Sequence, residues 1–499
     1  MAFLAKPDIV WTALVYLSVV VAIGVWAARR TRSARDFFIA GQTIGLVVTG
    51  LATMSAAFSG FVFIGGPGLT YRMGLASLFI CIPVGFTAGL LCWVVGKRLR
   101  LLAGVREVYT VSDVVLHRYR SRLASGLTAL AVVIGTVGYL GAQLKALGVM
   151  LEAIFGTRQL LGEASLAVAM TVGLAVVLVY ATAGGMVAGV YTDVVQGALM
   201  VIAAVAVFHF AVVAGGGFDA MSRSIVASPS FGPRHLDPLG ATSVFTAMGF
   251  FFVFGIGSLG QPHMLHKFFM LDDPRKLKWM PLILGGTQSL CILIWLGIGL
   301  AVPALVAGGR MAPLTNPDDA APAFLLNFVP EALAGLVFAG ILAAIMSTAD
   351  SFVNIASAAL VRDLPRALGR PVSDELRWGR LAVVGVAVSA AVVAYFYGDL
   401  VALLGTFAFG TSGAALTPAL AIGLNWRRVT AAAASASIAS GVVVSLLLGL
   451  LPHPLTRAGV LPAAAALAAS FSVLFVVTWL TGRRREPEID EGVRLVMEL

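Results

Sequence analysis

The sequence predicts an all-α polytopic membrane protein with about 13 transmembrane helices, and three observations predict it. Of 499 residues, 59% are hydrophobic and only 12% charged, with a mean hydropathy of +0.95; a soluble domain carries about 25% charged residues. The apolar residues gather into runs that match the ~20 residues needed to cross the hydrocarbon core. Most of the basic residues then fall on alternate connections between those runs. A formal charge of +10 would suggest nucleic acid as the partner of a soluble protein. In a membrane protein the placement of the charges carries the information, and the expected partner is the lipid bilayer.

The runs lie near 9–28, 43–65, 75–96, 124–153, 163–184, 192–215, 241–261, 279–305, 332–361, 379–397, 400–423, 429–451 and 461–481, here called spans one to thirteen. With the N-terminus outside, 26 lysines and arginines fall on cytoplasmic segments and 7 outside, with Lys145 left inside span four. The positive-inside rule therefore places the N-terminus outside and the C-terminus in the cytoplasm. A single missed span would invert everything beyond it, so the charge bias supports the odd count. The first run is too long for a signal-peptide core and ends in "ARRTRSAR", which reads as a first membrane helix.

The chain is expected to be one transmembrane domain over 1–485, with a short cytoplasmic tail at 486–499. The connections around 216–240 and 306–331 are the longest outside, and they read as surface loops or short interfacial helices. Nothing within the chain resembles a nucleotide-binding domain that would drive transport with ATP. Cys81, Cys92 and Cys291 fall in apolar runs without paired spacing, so they read as buried thiols rather than a metal or disulfide set.

Spans two and seven carry helix breakers in mid-course. Span two reads "TMSAAFSGFVFIGGPGLTYRMG" and span seven "TAMGFFFVFGIGSLGQPHML". They are five spans apart, and an odd displacement reverses the direction of travel. An inverted repeat of spans two to six (43–215) and seven to eleven (241–423) produces that relation, with the paired broken helices forming a site near the midplane. Span one (9–28) and spans twelve and thirteen (429–481) lie outside the repeat. "GIGSLG" at 255–260 matches a dinucleotide fingerprint in letters only, because the fingerprint needs a strand before it and a helix after it.

Span nine contains "AAIMSTADSFVNIASA" at 343–358. Ala344, Ser347, Thr348 and Ser351 follow the i, i+3, i+4, i+7 spacing of one helical face. Asp350 and Asn354 widen that stripe, and Ile345, Ala349, Phe352 and Ile355 form the opposite face. Hydroxyls alone are explained by helix packing. An ionisable group in a span points to an ion or substrate path. Many oxygens without a His/Cys cluster suit a hard cation such as Na⁺ rather than a transition metal, and proton transfer through Asp193 and Asp350 is the alternative. Lys145 reads as a residue snorkelling outward or meeting a substrate carboxylate. His209 reads as a packed neutral side chain or a proton carrier.

Several motifs in order resemble the sodium/solute symporter family. They are "YATAGGMVAGVYTDVVQGALM" (180–200), "ILAAIMSTADS" (341–351), "FSGFVFIGGPG" and "GQPHML", the last two resembling its sodium/proline branch. The likeness covers about residues 8–485 and implies a LeuT-type five-plus-five fold. It implies a sodium site from the backbone oxygens of Ser55 and Phe58, the carbonyl of Ala344 and the hydroxyls of Ser347 and Thr348. It also implies a second cation site from Asp193, Ser347, Asp350 and Ser351, although Asp350 stands where those relatives have Ser. The solute would meet Gly60, Tyr139, Gln143, Phe254, Ser258 and Pro262. Phe254 and Ser258 replace an aromatic pair of the proline branch, and Ala57 replaces an Asp.

The expected function is secondary active symport, in which Na⁺ entry drives uptake of a small polar solute of the amino acid or monocarboxylate class across the plasma (inner) membrane. No organic cofactor and no enzymatic step are expected. The rivals are a proton-coupled transporter, a membrane enzyme and a transporter-like sensor. The membrane enzyme lacks a clustered metal motif or Ser-His pair, and the sensor lacks an output domain in this chain.

Overall fold

A computed structural model of the chain describes residues 6–28, 42–240, 242–396, 400–482 and 488–499. Most of the expected inner connection 29–42, the end of the transmembrane domain at 483–485 and the first tail residues 486–487 therefore lie outside the described residues. The described residues are helical, with no strand among them and one isolated bridge between Ile44 and Leu271. Ten helices are long and apolar enough to cross a membrane, and three shorter apolar ones cover Pro7–Val19, Leu46–Ala57 and Val244–Gly255. The short ones fall on spans one, two and seven; the ten cover the others, so the fold class follows the sequence expectation.

Spans five and six depart from expectation locally. The sequence places a connection at 185–191, whereas the backbone is helical from Ser165 to Gly215. A straight helix of 51 residues would be about 76 Å long at 1.5 Å per residue, more than twice the hydrocarbon thickness. The chain instead returns. Arg158, just ahead of this stretch, pairs with Asp319 at 3.1 Å, and Ala214 near its end accepts from Arg310 at 2.6 Å. Both partners belong to the 306–331 connection, so the stretch enters and leaves at one face. It holds two membrane-length segments, Arg158–Val179 and Gly189–Gly215.

The packing carries the repeat. Span four (Arg122–Phe155) lies along span eleven (Val401–Thr417), and its counterpart span nine (Glu331–Ala358) lies along span six. Exchanging the two repeats turns one pair into the other. Span nine is wrapped on all sides, since Ile345, Ala349 and Phe352 are as buried as Ser347 and Thr348. Its apolar face therefore packs against protein rather than lipid.

Both predicted breaks are present, and each is closed by a glutamine. Lipid offers no hydrogen bonds, so backbone groups freed by a break need partners from within the protein. Leu46–Ala57 ends where Phe58 turns extended, at φ −100° and ψ 108°; the chain resumes as the wide turn Phe61–Gly65 and the helix Gly66–Met73. Gln143 of span four accepts from the Gly60 N–H at 3.0 Å and donates to Ser59 Oγ at 3.2 Å. In span seven, Val244–Gly255 gives way to the tight turn Gly257–Gly260, an extended Gln261 and the helix Pro262–Phe268. The Gln261 amide donates to the carbonyls of Gly257 at 3.1 Å and Phe409 at 2.8 Å. Gly60 is required by crowding, since a Cβ there would lie 2.6 Å from Ala146 and 2.8 Å from Ile345.

Candidate functional site

The end of Leu46–Ala57 meets the polar face of span nine at the first break. Thr348 Oγ1 lies 3.1 Å from the Ala344 carbonyl, 3.2 Å from that of Ala56 and 3.4 Å from that of Ser55. A threonine bonded to the carbonyl four residues back is ordinary helix chemistry. Two further carbonyls from another helix, in a place without solvent, are not. Ser55 Oγ donates to Ser347 Oγ at 2.8 Å, and Ser55, Ser347 and Thr348 are all buried. The extended Phe58 ends the helix beside them. The result is a cluster of neutral hydroxyl and carbonyl oxygens, the donor set a small hard cation accepts. The structure thus gathers Ser55, Ala344, Ser347 and Thr348 with Phe58 at their edge, and adds the Ala56 carbonyl.

Ser347 links this cluster to a charge pair. Its hydroxyl donates to Asp193 Oδ1 of span six, and Asp193 Oδ2 accepts from Lys267 Nζ at 2.8 Å. Lys267 and Asp193 are buried to 0% and 1% exposure. The charge bias places Lys267 on the expected inner connection between spans seven and eight; in the structure it sits near the end of the second half of span seven, buried. One turn further along span nine, Asp350 Oδ1 accepts from Asn354 Nδ2 at 3.0 Å. Asp350 Oδ2, Ser351 Oγ and Asn354 Oδ1 have no hydrogen-bond partner among the described residues. A Cβ on Gly189 would run into Asp350 Oδ2, so that glycine lets span six approach the carboxylate.

Beside the cation cluster lies a small cavity of about 60 Å³, lined by Phe58, Phe61, Tyr139, Phe254, Ser258 and Phe409 among others. Phe254 stacks between Phe61 at 5.3 Å and Phe409 at 4.6 Å. Tyr139 stacks on Phe352 at 4.9 Å and meets Ser59 Oγ with its hydroxyl at 3.2 Å. Trp295 also lines the cavity, with its indole N–H held by Thr70 at 2.9 Å. Three of the residues assigned to the solute by resemblance, Tyr139, Phe254 and Ser258, are brought together here. Gly60 and Gln143 sit behind the wall, holding the break. Pro262 lines a different crevice with Thr110, His266 and Asp363, while Met264 of the same helix reaches the cavity.

A model of the sodium:solute symporter family matches residues 37–441. The chain belongs to this family. It is similar to the sodium/pantothenate symporter of Escherichia coli, with 27% identity over 88% of this chain and 90% of the relative. It is equally similar to the sodium/proline symporter of Haemophilus influenzae, with 27% identity over 87% and 86%. Among solved structures, a Na⁺-coupled sialic acid symporter in a substrate-bound outward-open state superposes with a TM-score of 0.77 at 16% identity, covering 97% of this chain and 99% of that one. A nucleobase-cation-symport-1 family transporter in a closed conformation gives 0.58 at 14%. These structural likenesses carry the fold, and the family carries the membership.

Sequence reasoning missed three groups. Lys267 lies five residues past Pro262 and looks like a loop charge. The cavity aromatics Phe61, Trp295 and Phe409 sit among ordinary apolar neighbours, and only their side-chain convergence marks them. At the expected cytoplasmic ends, Arg362 pairs with Asp113 and lies 4.4 Å over the Tyr109 ring, while Thr110 donates to Asp363 at 3.0 Å. That network ties span nine to the 111–119 helix and had no sequence signal beyond its charges. Two side readings also change. Lys145 is largely buried at 9% exposure, not snorkelled into solvent, and His209 is exposed on the outer face of its span rather than packed.

Proposed function

We propose that this protein is a sodium-coupled secondary active symporter that imports a small polar organic solute of the amino acid or monocarboxylate class by alternating access. The observation that carries the reading is Phe58, which ends the helix at the cation cluster and also lines the cavity. An ion held by Ser55, Phe58, Ala344, Ser347 and Thr348 would fix the break in span two. The same break carries Ser59 and Phe61, which touch Tyr139 and Phe254. Binding of ion and solute would thus favour one arrangement of the same backbone, which is how two ligands become coupled. Sodium is cargo here, and inward-negative potential adds about 2.3 kcal/mol per charge per 100 mV.

The aromatic walls suit the apolar part of such a solute, with Ser258, Gln288, Thr87 and Tyr139 as its polar contacts. Residues 43–215 and 241–423 act as the two repeats that rock against each other, in the plasma membrane with the N-terminus outside. The test is uptake into proteoliposomes of the purified protein, screened over radiolabelled amino acids, monocarboxylates and sugars. Accumulation of an amino acid or monocarboxylate only under an inward sodium gradient is expected. Accumulation that follows a proton gradient and ignores sodium would overturn the reading.

A further inference from the structure

The family resemblance offers a second cation site built on Asp193, Ser347, Asp350 and Ser351, and the geometry gives that site a different occupant. Asp193 has two carboxylate oxygens, and both are engaged. Oδ1 accepts from Ser347 and Oδ2 from Lys267 Nζ at 2.8 Å. Lys267 reaches this place from the end of the helix Pro262–Phe268, whose residues are all buried. A buried ammonium is held where a counter-charge offsets its lost hydration, and Asp193 provides it. The distance from Nζ to Oδ2 is that of a direct, charge-assisted hydrogen bond. A sodium ion bound to that carboxylate beside Ser347 would stand next to a buried positive charge and would have to displace the Lys267 Nζ hydrogen bond from Oδ2.

Ser347 has the same consequence for the first site. Its hydroxyl proton points to Asp193, and it accepts from Ser55, so its oxygen is turned toward the end of span two. The Lys267–Asp193 pair thereby orients a ligand of the first cation cluster without touching the ion. Asp350 does not restore the second site. Its Oδ1 is held by Asn354 and its Oδ2 has no hydrogen-bond partner among the described residues; it lies one turn beyond Ser347 on span nine, and neither oxygen bonds Ser347.

We propose that Lys267 is the resident cation of the second site: its ammonium takes the Asp193 carboxylate that a second sodium would need, so this chain binds and carries one sodium per cycle. The proposal deepens the sodium-coupled reading and rests on it. Lys267 is a positioning and stoichiometry-setting residue rather than one that touches cargo.

The experiment is equilibrium binding of ²²Na⁺ to the full-length protein in lipid nanodiscs, with sodium as the only probe. Wild type should bind one ion per chain with a non-cooperative isotherm. Lys267→Gln, which frees the Asp193 carboxylate, should bind two with a Hill coefficient above one. Lys267→Arg, which keeps the charge, should stay at one, and Asp193→Asn combined with Lys267→Gln should return to one. Two ions on wild type would overturn the proposal and leave the sodium reading standing, as would an assembled Lys267→Gln that still binds one. No saturable sodium binding by wild type would overturn the sodium reading itself and this proposal with it. If Lys267→Gln fails to assemble, the wild-type count decides the matter, because two ions with Lys267 in place contradict it.

Discussion

The Ser55 hydroxyl donates to the Ser347 hydroxyl at 2.8 Å, joining the end of the first half of span two to the centre of span nine. Ser347→Ala and Thr348→Ala should each raise the sodium concentration for half-maximal uptake. Each change removes an oxygen from a place that water does not reach. A lost hydrogen-bonding partner in such a place costs about 1–3 kcal/mol, which corresponds to a roughly five- to hundred-fold weaker affinity. Sodium titrations of uptake, normalised to folded protein, measure it. Unchanged half-saturation in both variants would remove these hydroxyls from the ion's path.

The cavity residues should separate from the ion residues. Phe254→Ala removes the ring stacked between Phe61 and Phe409, and Tyr139→Phe removes only the hydroxyl that meets Ser59. Both should change the apparent affinity or preference for the transported solute, the alanine more strongly, with ²²Na⁺ binding retained. Solute kinetics identical to wild type in both variants would take the cavity out of the transport path.

The architecture was legible because lipid imposes it. Span length and basic-residue bias follow from the hydrocarbon core and the membrane's asymmetry, and both are written along the chain. The breaks were legible through Gly65, Gly66, Pro67 and Pro262, and the face of Ser347 and Thr348 through helical spacing. What was not legible depends on how far side chains reach between distant segments. Lys267 looks cytoplasmic until Asp193 is found 2.8 Å away. Gln143 is expected at the solute, and nothing in the sequence shows that its side chain also closes the break in span two.

The charge bias sets the expected sidedness, and labelling tests it directly. A cysteine replacing exposed Arg122, at the start of span four, should react with a membrane-impermeant maleimide only from the cytoplasmic side. One replacing exposed Ser230 should react only from outside. Labelling of both from the same side would break the orientation of the spans between them, and the inverted relation of the two repeats with it.

The outer connection should respond to acid through His235. Burial pushes its imidazole down to about 4, against about 6.5 for a free histidine. Its ring packs on Phe231 at 4.9 Å. Between those two values the unfolded connection binds the proton more readily than the folded one, so stability there rises with pH. It is fully present above about 6.5 and is lost as pH falls toward 4. Hydrogen exchange over 216–240, corrected for intrinsic rates, should quicken between about pH 7.5 and pH 5. His235→Phe should abolish that response; a variant that keeps it would assign the effect to another group.

Gln143 tests whether the break in span two needs an internal partner. Its carbonyl oxygen accepts from Gly60 N–H, and its amide donates to Ser59 Oγ. Gln143→Leu keeps the volume but leaves the Gly60 N–H without a partner in a place lipid and water cannot serve, at a cost of about 1–3 kcal/mol. Gln143→Glu, in its protonated form, keeps a carbonyl acceptor for the Gly60 N–H and an O–H donor for Ser59 Oγ. The leucine variant should therefore show the larger drop in melting temperature and the larger loss of sodium affinity, because Phe58 and Ser59 belong to the same break. A residue that merely touched the solute would give another pattern, with solute affinity reduced in both variants and sodium binding intact. Thermal melts read beside ²²Na⁺ isotherms distinguish the two. An unchanged melt in Gln143→Leu would show that the break stands without the glutamine.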